Sequence, residues 1–121
     1  MTRTLLIALS LAVVAAAPAG AAMTTGTFVA RARALQAQGV AAVLNPDFQT
    51  LRNEANEATQ ELKADRAARE AAGKKPVACV PEGQSIGIVE MLDGLDALSP
   101  AEKNLPLKDG YAHVLAKRFP C

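Results

Sequence analysis

The stretch from Asn45 to Gly73, which reads NPDFQTLRNEANEATQELKADRAAREAAG, predicts one long helix around which the rest of the chain is arranged. Asn45 can cap this helix, Pro46 suits its first position, and Asp47 places a negative charge at the positive end of the helix dipole. Gly73 favours termination just after position 72. Between these ends apolar side chains recur at steps of three and four residues, as in a helix with one buried face: Phe48, Leu51, Ala55, Ala58 and Leu62.

The second half of this helix is highly charged and contains no large apolar residue after Leu62. Asp65 stands four residues before Arg69, an acid-before-base spacing that favours a helix modestly. A charged run of this kind is typical of a solvated helix end, and an exposed surface for a partner is the alternative interpretation.

A shorter helix is predicted before it, from Met23 to Gly39, with Thr25 or Thr27 as its capping residue. Its apolar residues Phe28, Ala32 and Leu35 fall on one helical face. Residues 40–44 form an apolar bridge to the long helix. This bridge either packs on the core or leaves an exposed patch.

Two further helices are predicted after a loop that covers residues 76–85 and contains two prolines and a glycine. Ser85 can cap a helix from Ile86 to about Leu98, with a broad apolar face made of Ile88, Val89, Met91, Leu92 and Leu95. Ser99 and Glu102 form a capping-box pattern that starts a short turn. A last helix opens at residues 108–109 and is stopped by the proline at position 120. The sequence thus predicts an all-α fold, a small bundle of about four helices in a single domain, residues 23–121.

The first 22 residues, MTRTLLIALSLAVVAAAPAGAA, have the three-part plan of a secretory signal peptide. Arg3 supplies the positive charge, residues 5–17 are apolar apart from one serine, and Ala19-Gly20-Ala21 forms a small-residue cleavage site. The apolar run is shorter than the roughly 20 residues that a membrane anchor requires. We therefore expect a cleaved segment, residues 1–22, and a periplasmic or secreted protein.

Two cysteines, Cys79 and Cys121, remain in the exported chain. In an oxidising compartment an even number of cysteines favours a disulfide, which here would close a loop of about 43 residues and contribute about 4 kcal/mol. Two free thiols and an intermolecular bridge are the alternatives.

Composition excludes several classes of partner. Without Arg3 the 12 remaining Lys and Arg residues balance the 12 Asp and Glu residues, so neither nucleic acid nor an anionic membrane surface is an expected partner. With three Phe, one Tyr and no Trp, a base-stacking surface is not expected either.

Residues for catalysis are scarce. His113 is the only histidine, with no evident partner in the sequence, and Ser85 and Ser99 are explained as helix caps. Two cysteines with one histidine fall short of a structural zinc site, and no phosphate-binding glycine loop is present. We expect a binding protein rather than an enzyme, with no cofactor and no metal.

The C-terminal part carries a motif layout: Cys79-Val80-Pro81-Glu82-Gly83, a helix, the capped turn at Ser99, a closing helix, and Phe119-Pro120-Cys121. This layout, over about 43 residues, resembles the Rap/Tai family of immunity proteins of type VI secretion. The resemblance implies an exported, mainly helical, often homodimeric protein that blocks a peptidoglycan amidase effector. It also implies a disulfide between the two cysteines.

Family members commonly carry further cysteines and a Tyr-x-x-Gly helix motif before this loop, whereas residues 23–75 contain no cysteine and no tyrosine. Only the two cysteines and the loop around them therefore transfer from the family. Pro81, Glu82 and Gly83 are therefore the candidate partner-binding loop, and a mere anchored connection between helices is the alternative interpretation. The rival hypotheses for the whole protein are a small periplasmic structural or accessory protein without inhibitory activity, and an enzyme or an activator of one.

Overall fold

A computed structural model describes residues 22–121 of the protein. The predicted signal peptide lies, except for its last residue, outside this range. The all-α prediction is confirmed: the described part contains helices and no β-strand. The helices are α1 (Thr25–Ala37), α2 (Pro46–Ala71), α3 (Ile88–Asp96), α4 (Pro100–Lys103) and α5 (Leu107–Arg118), with a 3₁₀ segment (Gly39–Leu44) between α1 and α2.

The long helix α2 begins and ends where the sequence predicts. The Asn45 side chain accepts a hydrogen bond from the backbone N–H of Asp47 at 2.9 Å, which satisfies one of the free donors of the first turn. Pro46 occupies the first position, where a missing N–H costs nothing. At the other end Gly73 has a φ of +69°, a left-handed conformation that only glycine adopts without strain.

Helix α1 begins at Thr25, two residues later than predicted. Thr24, not Thr25 or Thr27, is the cap, and its side chain accepts from the N–H of Thr27. Thr25 is fully buried instead, and its hydroxyl donates to the carbonyl of Leu105 at 3.1 Å. An isolated β-bridge between Thr24 and Pro106 completes this contact. The N-terminal end of α1 is thereby tied to the connection before α5.

The start of α3 is also later than predicted, because Gly87 rather than Ser85 occupies the N-cap position and the helix covers Ile88–Asp96. The Ser99 capping box is confirmed, since the Ser99 hydroxyl accepts from the Glu102 N–H and the Glu102 carboxylate accepts from the Ser99 N–H. Capping boxes depend on local contacts alone, which explains why the sequence predicts them well.

The core lies where α1, α3 and α5 meet the first half of α2. Leu95 of α3 and Leu107 of α5 are almost completely buried there. The ring of Phe28 meets Tyr111 edge to face, with centroids 6.3 Å apart, a favoured aromatic geometry. In the 3₁₀ segment only Ala42 is buried, so the apolar bridge of residues 40–44 leaves an exposed patch.

Cys79 and Cys121 form the predicted disulfide, with their Cα atoms 4.9 Å apart. Beside it, the backbone N–H of Cys79 donates to the carbonyl of Phe119 at 2.9 Å. Phe119 itself is buried, with the Arg118 guanidinium 4.9 Å from its ring centroid. The loop after α2 is thus fixed to the C-terminal end of the chain by one covalent bond and one hydrogen bond.

Candidate functional site

A long apolar groove of about 1010 Å³ runs along the surface of the bundle. Helix α2 forms one wall, and α3 together with residues 76–80 forms the other. Both α2 and α3 pack on α1 and α5 rather than closing on each other, so the space between them stays open. We name this space the α2–α3 groove.

The floor of the groove comes from the core-facing side of α1 and α5. Phe28 and Leu35 of α1 and Tyr111 and Leu115 of α5 contribute to it. Burial raises the pKa of Tyr111 to about 12, because the phenolate would lose most of its hydration there. The floor is therefore uncharged at any physiological pH.

The rim on the α3 side is made of exposed apolar side chains. Ile88 is 89% exposed and Val89 is 59% exposed, although the sequence places both on the same apolar face as the buried Leu92 and Leu95. Val77 in the loop adds a further half-exposed side chain. Only Leu92 and Leu95 of the broad apolar face of α3 are buried, so part of this face stays exposed.

The wall on the α2 side combines two parallel stripes. Phe48, Leu51, Ala55 and Leu62 form the apolar stripe next to the floor. Above it runs a polar stripe at steps of three and four residues, with three cationic side chains: Arg52, Asn56, Thr59, Lys63 and Arg66. For the charged second half of α2 the sequence allows two interpretations, a solvated helix end and a surface for a partner. In the structure this half contributes Lys63 and Arg66 to the groove.

One acidic side chain, Asp65, also lines the groove. Its carboxylate lies 3.2 Å from the Lys108 ammonium of α5. This hydrogen bond raises the pKa of Lys108, and the positive charge of its ammonium offsets the charge of the acidic side chain. The local Asp65–Arg69 pair that the sequence suggests is replaced by this contact between helices.

The candidate partner-binding loop is exposed at the outer end of the structure. Pro81, Glu82 and Gly83 are solvent-exposed, and a turn is closed by the Gln84 N–H, which donates to the Pro81 carbonyl at 3.1 Å. Gly83 has a φ of +78° and so requires glycine. The preceding residues 76–78 and Val80 line the groove, so the disulfide-anchored segment serves both as a groove wall and as a support for the exposed turn.

His113 has a partner that sequence reasoning missed. Its Nδ1 lies 3.1 Å from the Glu102 carboxylate, which also approaches the Lys117 ammonium at 3.9 Å. Hydrogen bonds from Ser99 hold the pKa of Glu102 below its usual range. The cluster lies outside the residues that line the groove and joins α4 to α5.

In residues 22–121 no group of three or more His, Cys, Asp or Glu side chains is placed to hold a metal ion. Over the same range no helix is both long enough and apolar enough to span a bilayer.

The groove could not be found from the sequence, since periodicity identifies apolar faces without showing which of them another element covers. The nearest sequence signal is the polar stripe beside the apolar stripe of α2, which recurs at five positions spaced by three or four residues. Comparison with known proteins adds no assignment: neither a family model, nor a curated protein, nor a solved structure matches the chain.

Proposed function

We propose that this protein is an exported binding module of the immunity kind, which inhibits a peptidoglycan amidase-type effector in the periplasm. The observation that carries the proposal is the open α2–α3 groove, one wall of which is fixed by the Cys79–Cys121 disulfide. The motif resemblance of residues 79–121 supplies the class of partner.

Exposed apolar side chains support a binding role. Single exposed apolar residues are ordinary on protein surfaces, but contiguous apolar patches rimmed by polar residues mark interaction sites. Ile88, Val89 and Val77 form such a patch along one edge of the groove, and the cationic stripe of α2 lies on the other edge. A partner that covers the groove would remove these side chains from water.

Rigidity supports inhibition in particular. An inhibitor loses less conformational entropy on binding when its contact surface is already fixed. The disulfide, the hydrogen bond from Cys79 to Phe119 and the turn at Pro81 hold the segment in one conformation. We propose that this segment and the groove beside it contact the effector together, with Pro81, Glu82 and Gly83 reaching beyond the groove.

The test is capture followed by an assay of the captured protein. The full-length protein, exported with its own leader and purified without reductant, serves as bait for periplasmic and secreted proteins of the source cell and its neighbours. The expected result is capture of a peptidoglycan amidase whose hydrolysis of purified peptidoglycan stops when the bait is bound.

Two variants make the test specific for the groove. Ile88→Asp places a charge on the groove rim at a side chain that is 89% exposed, so folding should be unaffected. Val40→Asp is the matched control, because Val40 is 92% exposed and does not line the groove. We expect capture to be lost with Ile88→Asp only. If the intact protein captures no hydrolase, the accessory-protein hypothesis replaces this one.

A further inference from the structure

Charge along the α2–α3 groove is unevenly distributed. Its lining contains four ionisable charged groups, Arg52, Lys63, Asp65 and Arg66. Asp65 is neutralised by Lys108, whereas the three cations form no salt bridge with any residue in the described part of the chain. The α2 wall therefore presents a net positive charge although the exported chain as a whole is neutral.

The spacing of these cations restricts the occupant. Arg52 and Lys63 are separated by about 16 Å along the helix axis, and Arg52 and Arg66 by about 21 Å, at 1.5 Å per residue. A molecule with one anionic head group could meet Lys63 and Arg66 but not Arg52 at the same time. An occupant that uses the whole wall needs acidic groups distributed over about the same length.

The shape and chemistry of the groove point in the same direction. From Phe48 to Arg66 the α2 wall is about 27 Å long, which matches about 18 residues of a second helix. The groove is open along its length and has an apolar floor, with apolar side chains on the α3 side and cations on the α2 side. A helix laid in a groove is a recurring mode of recognition, in which residues at steps of three and four insert into the apolar floor.

We infer that the α2–α3 groove binds an amphipathic helix of a partner protein, with its apolar face on Phe48 and Leu115 and a row of carboxylates against Arg52, Lys63 and Arg66. This inference rests on the proposed function in that it names the segment of the partner that the protein recognises. The inference also fixes the orientation of the bound helix. Its acidic flank faces α2, and its opposite flank faces Ile88.

The experiment uses defined peptides with the full-length protein. The probe is a fluorescent 18-residue helix-forming peptide with Leu at steps of three and four and Glu on one flank. A second peptide has Lys in place of every Glu, and binding is measured by anisotropy at low and high salt. We expect the acidic peptide to bind, at least about tenfold more tightly than the basic one, and to lose affinity as salt rises.

Single charge reversals test the length of the contact. Arg52→Glu and Arg66→Glu should each lower the affinity of the protein for the acidic peptide by about three- to tenfold, because each removes one attraction and adds one repulsion. Lys74→Glu is the control, an exposed cation beyond the end of α2 that does not line the groove. Loss of affinity for one of the two groove variants only would contradict an extended acidic helix.

Other occupants give different results, and each would overturn the inference. Palmitate, as a single-headed anionic amphiphile, would bind more tightly than the peptide if the groove is a lipid site. A second copy of the chain would appear in sedimentation as a dimer that Ile88→Asp dissociates. If the amidase captured by the intact protein is still bound by Arg52→Glu and Arg66→Glu, the proposed function stands and this inference fails.

Discussion

At the scale of single residues, two glycines set how closely the helices of the core approach one another. A Cβ atom on Gly94 of α3 would lie 2.6 Å from Cγ1 of Val114, and one on Gly110 of α5 would overlap the buried side chain of Thr25. Both glycines weaken their helices in isolation, by about 1 kcal/mol each relative to alanine. The close approach that they permit explains why glycine stands at positions where helix propensity favours alanine.

Gly94→Ala should therefore destabilise the protein by about 1–3 kcal/mol, because the added methyl group overpacks the contact with Val114. Urea unfolding of the variant measures the change. The double variant Gly94→Ala with Val114→Ala should recover part of the loss, since the second substitution removes the two methyl groups that the new Cβ would meet. A stabilisation by Gly94→Ala would contradict the packing.

The ion pair between Arg31 of α1 and Asp47 of α2 gives a pH dependence. The guanidinium donates two hydrogen bonds to the carboxylate. This hydrogen bonding lowers the pKa of Asp47 below its ordinary value of 3.8. A group whose pKa is lowered by folding stabilises the folded state at any pH above its pKa in the unfolded chain. This stabilisation is lost as the pH falls through the pKa of the group in the folded chain. The contribution of this exposed pair should thus be present at pH 5–7 and disappear in strong acid.

The check is a comparison of thermal unfolding midpoints for the wild type and for Asp47→Asn from pH 7 down to pH 2. We expect the wild type to unfold at the higher temperature near neutrality, and the two curves to converge in acid below the ordinary carboxyl pKa of 3.8, as the carboxylate becomes protonated. Arg31→Met is the control, because it removes the ion pair and should reduce the difference between Asp and Asn to what the helix dipole contributes. Parallel curves over the whole range would contradict the assignment.

At the scale of elements, the sequence predicts helix ends well where the cap is local and poorly where it is not. The Asn45 cap of α2 and the Ser99 capping box follow from residues two or three positions apart. The start of α3 does not, because Ser85 is a good capping residue by type while Gly87 occupies the N-cap position instead. Similarly, Asp65 contacts Lys108, which is distant in the sequence, rather than the nearby Arg69.

Among the contacts between elements, the disulfide is expected to contribute most to the free energy of unfolding. It joins residues 42 positions apart, and replacing both cysteines with serine should cost about 2–4 kcal/mol, mainly because the unfolded chain gains freedom. Urea unfolding of the double variant, compared with the oxidised wild type, measures the loss. Hydrogen exchange at the backbone N–H of position 79 should also be faster in this variant, as the loop separates from Phe119, whereas exchange within α2 should change much less.

Equal stability of the oxidised wild type and the double serine variant would contradict this account of the loop. The same outcome would remove the argument that the disulfide fixes one wall of the α2–α3 groove.

At the scale of the whole molecule, the helical bundle follows from the sequence and the groove does not. Helical periodicity, caps and glycine stops predict the number and approximate bounds of the main helices. They do not show that α2 and α3 remain apart, which depends on how both helices pack on α1 and α5. Ile88 illustrates the difference, since its apolar character and helical position predict burial although it is 89% exposed.

The candidate site is accordingly only partly predictable. Pairing of Cys79 with Cys121 follows from the number of cysteines and the expected compartment, and the structure contains this bond. Pro81, Glu82 and Gly83 lie together in an exposed turn as the motif suggests, yet the larger apolar surface beside them comes from elements that no motif connects. The proposed contact surface therefore depends on tertiary structure more than on the motif.

The most direct test of the central claim is the rate at which the captured peptidoglycan amidase hydrolyses purified peptidoglycan while the protein is titrated in. We expect stoichiometric inhibition by the wild type and by Val40→Asp, and at least about tenfold weaker inhibition by Ile88→Asp, because a charge would be buried in an apolar contact. Unchanged hydrolysis at a saturating concentration of the wild-type protein would contradict the inhibitor function. Equal inhibition by both variants would show that the amidase binds away from the α2–α3 groove.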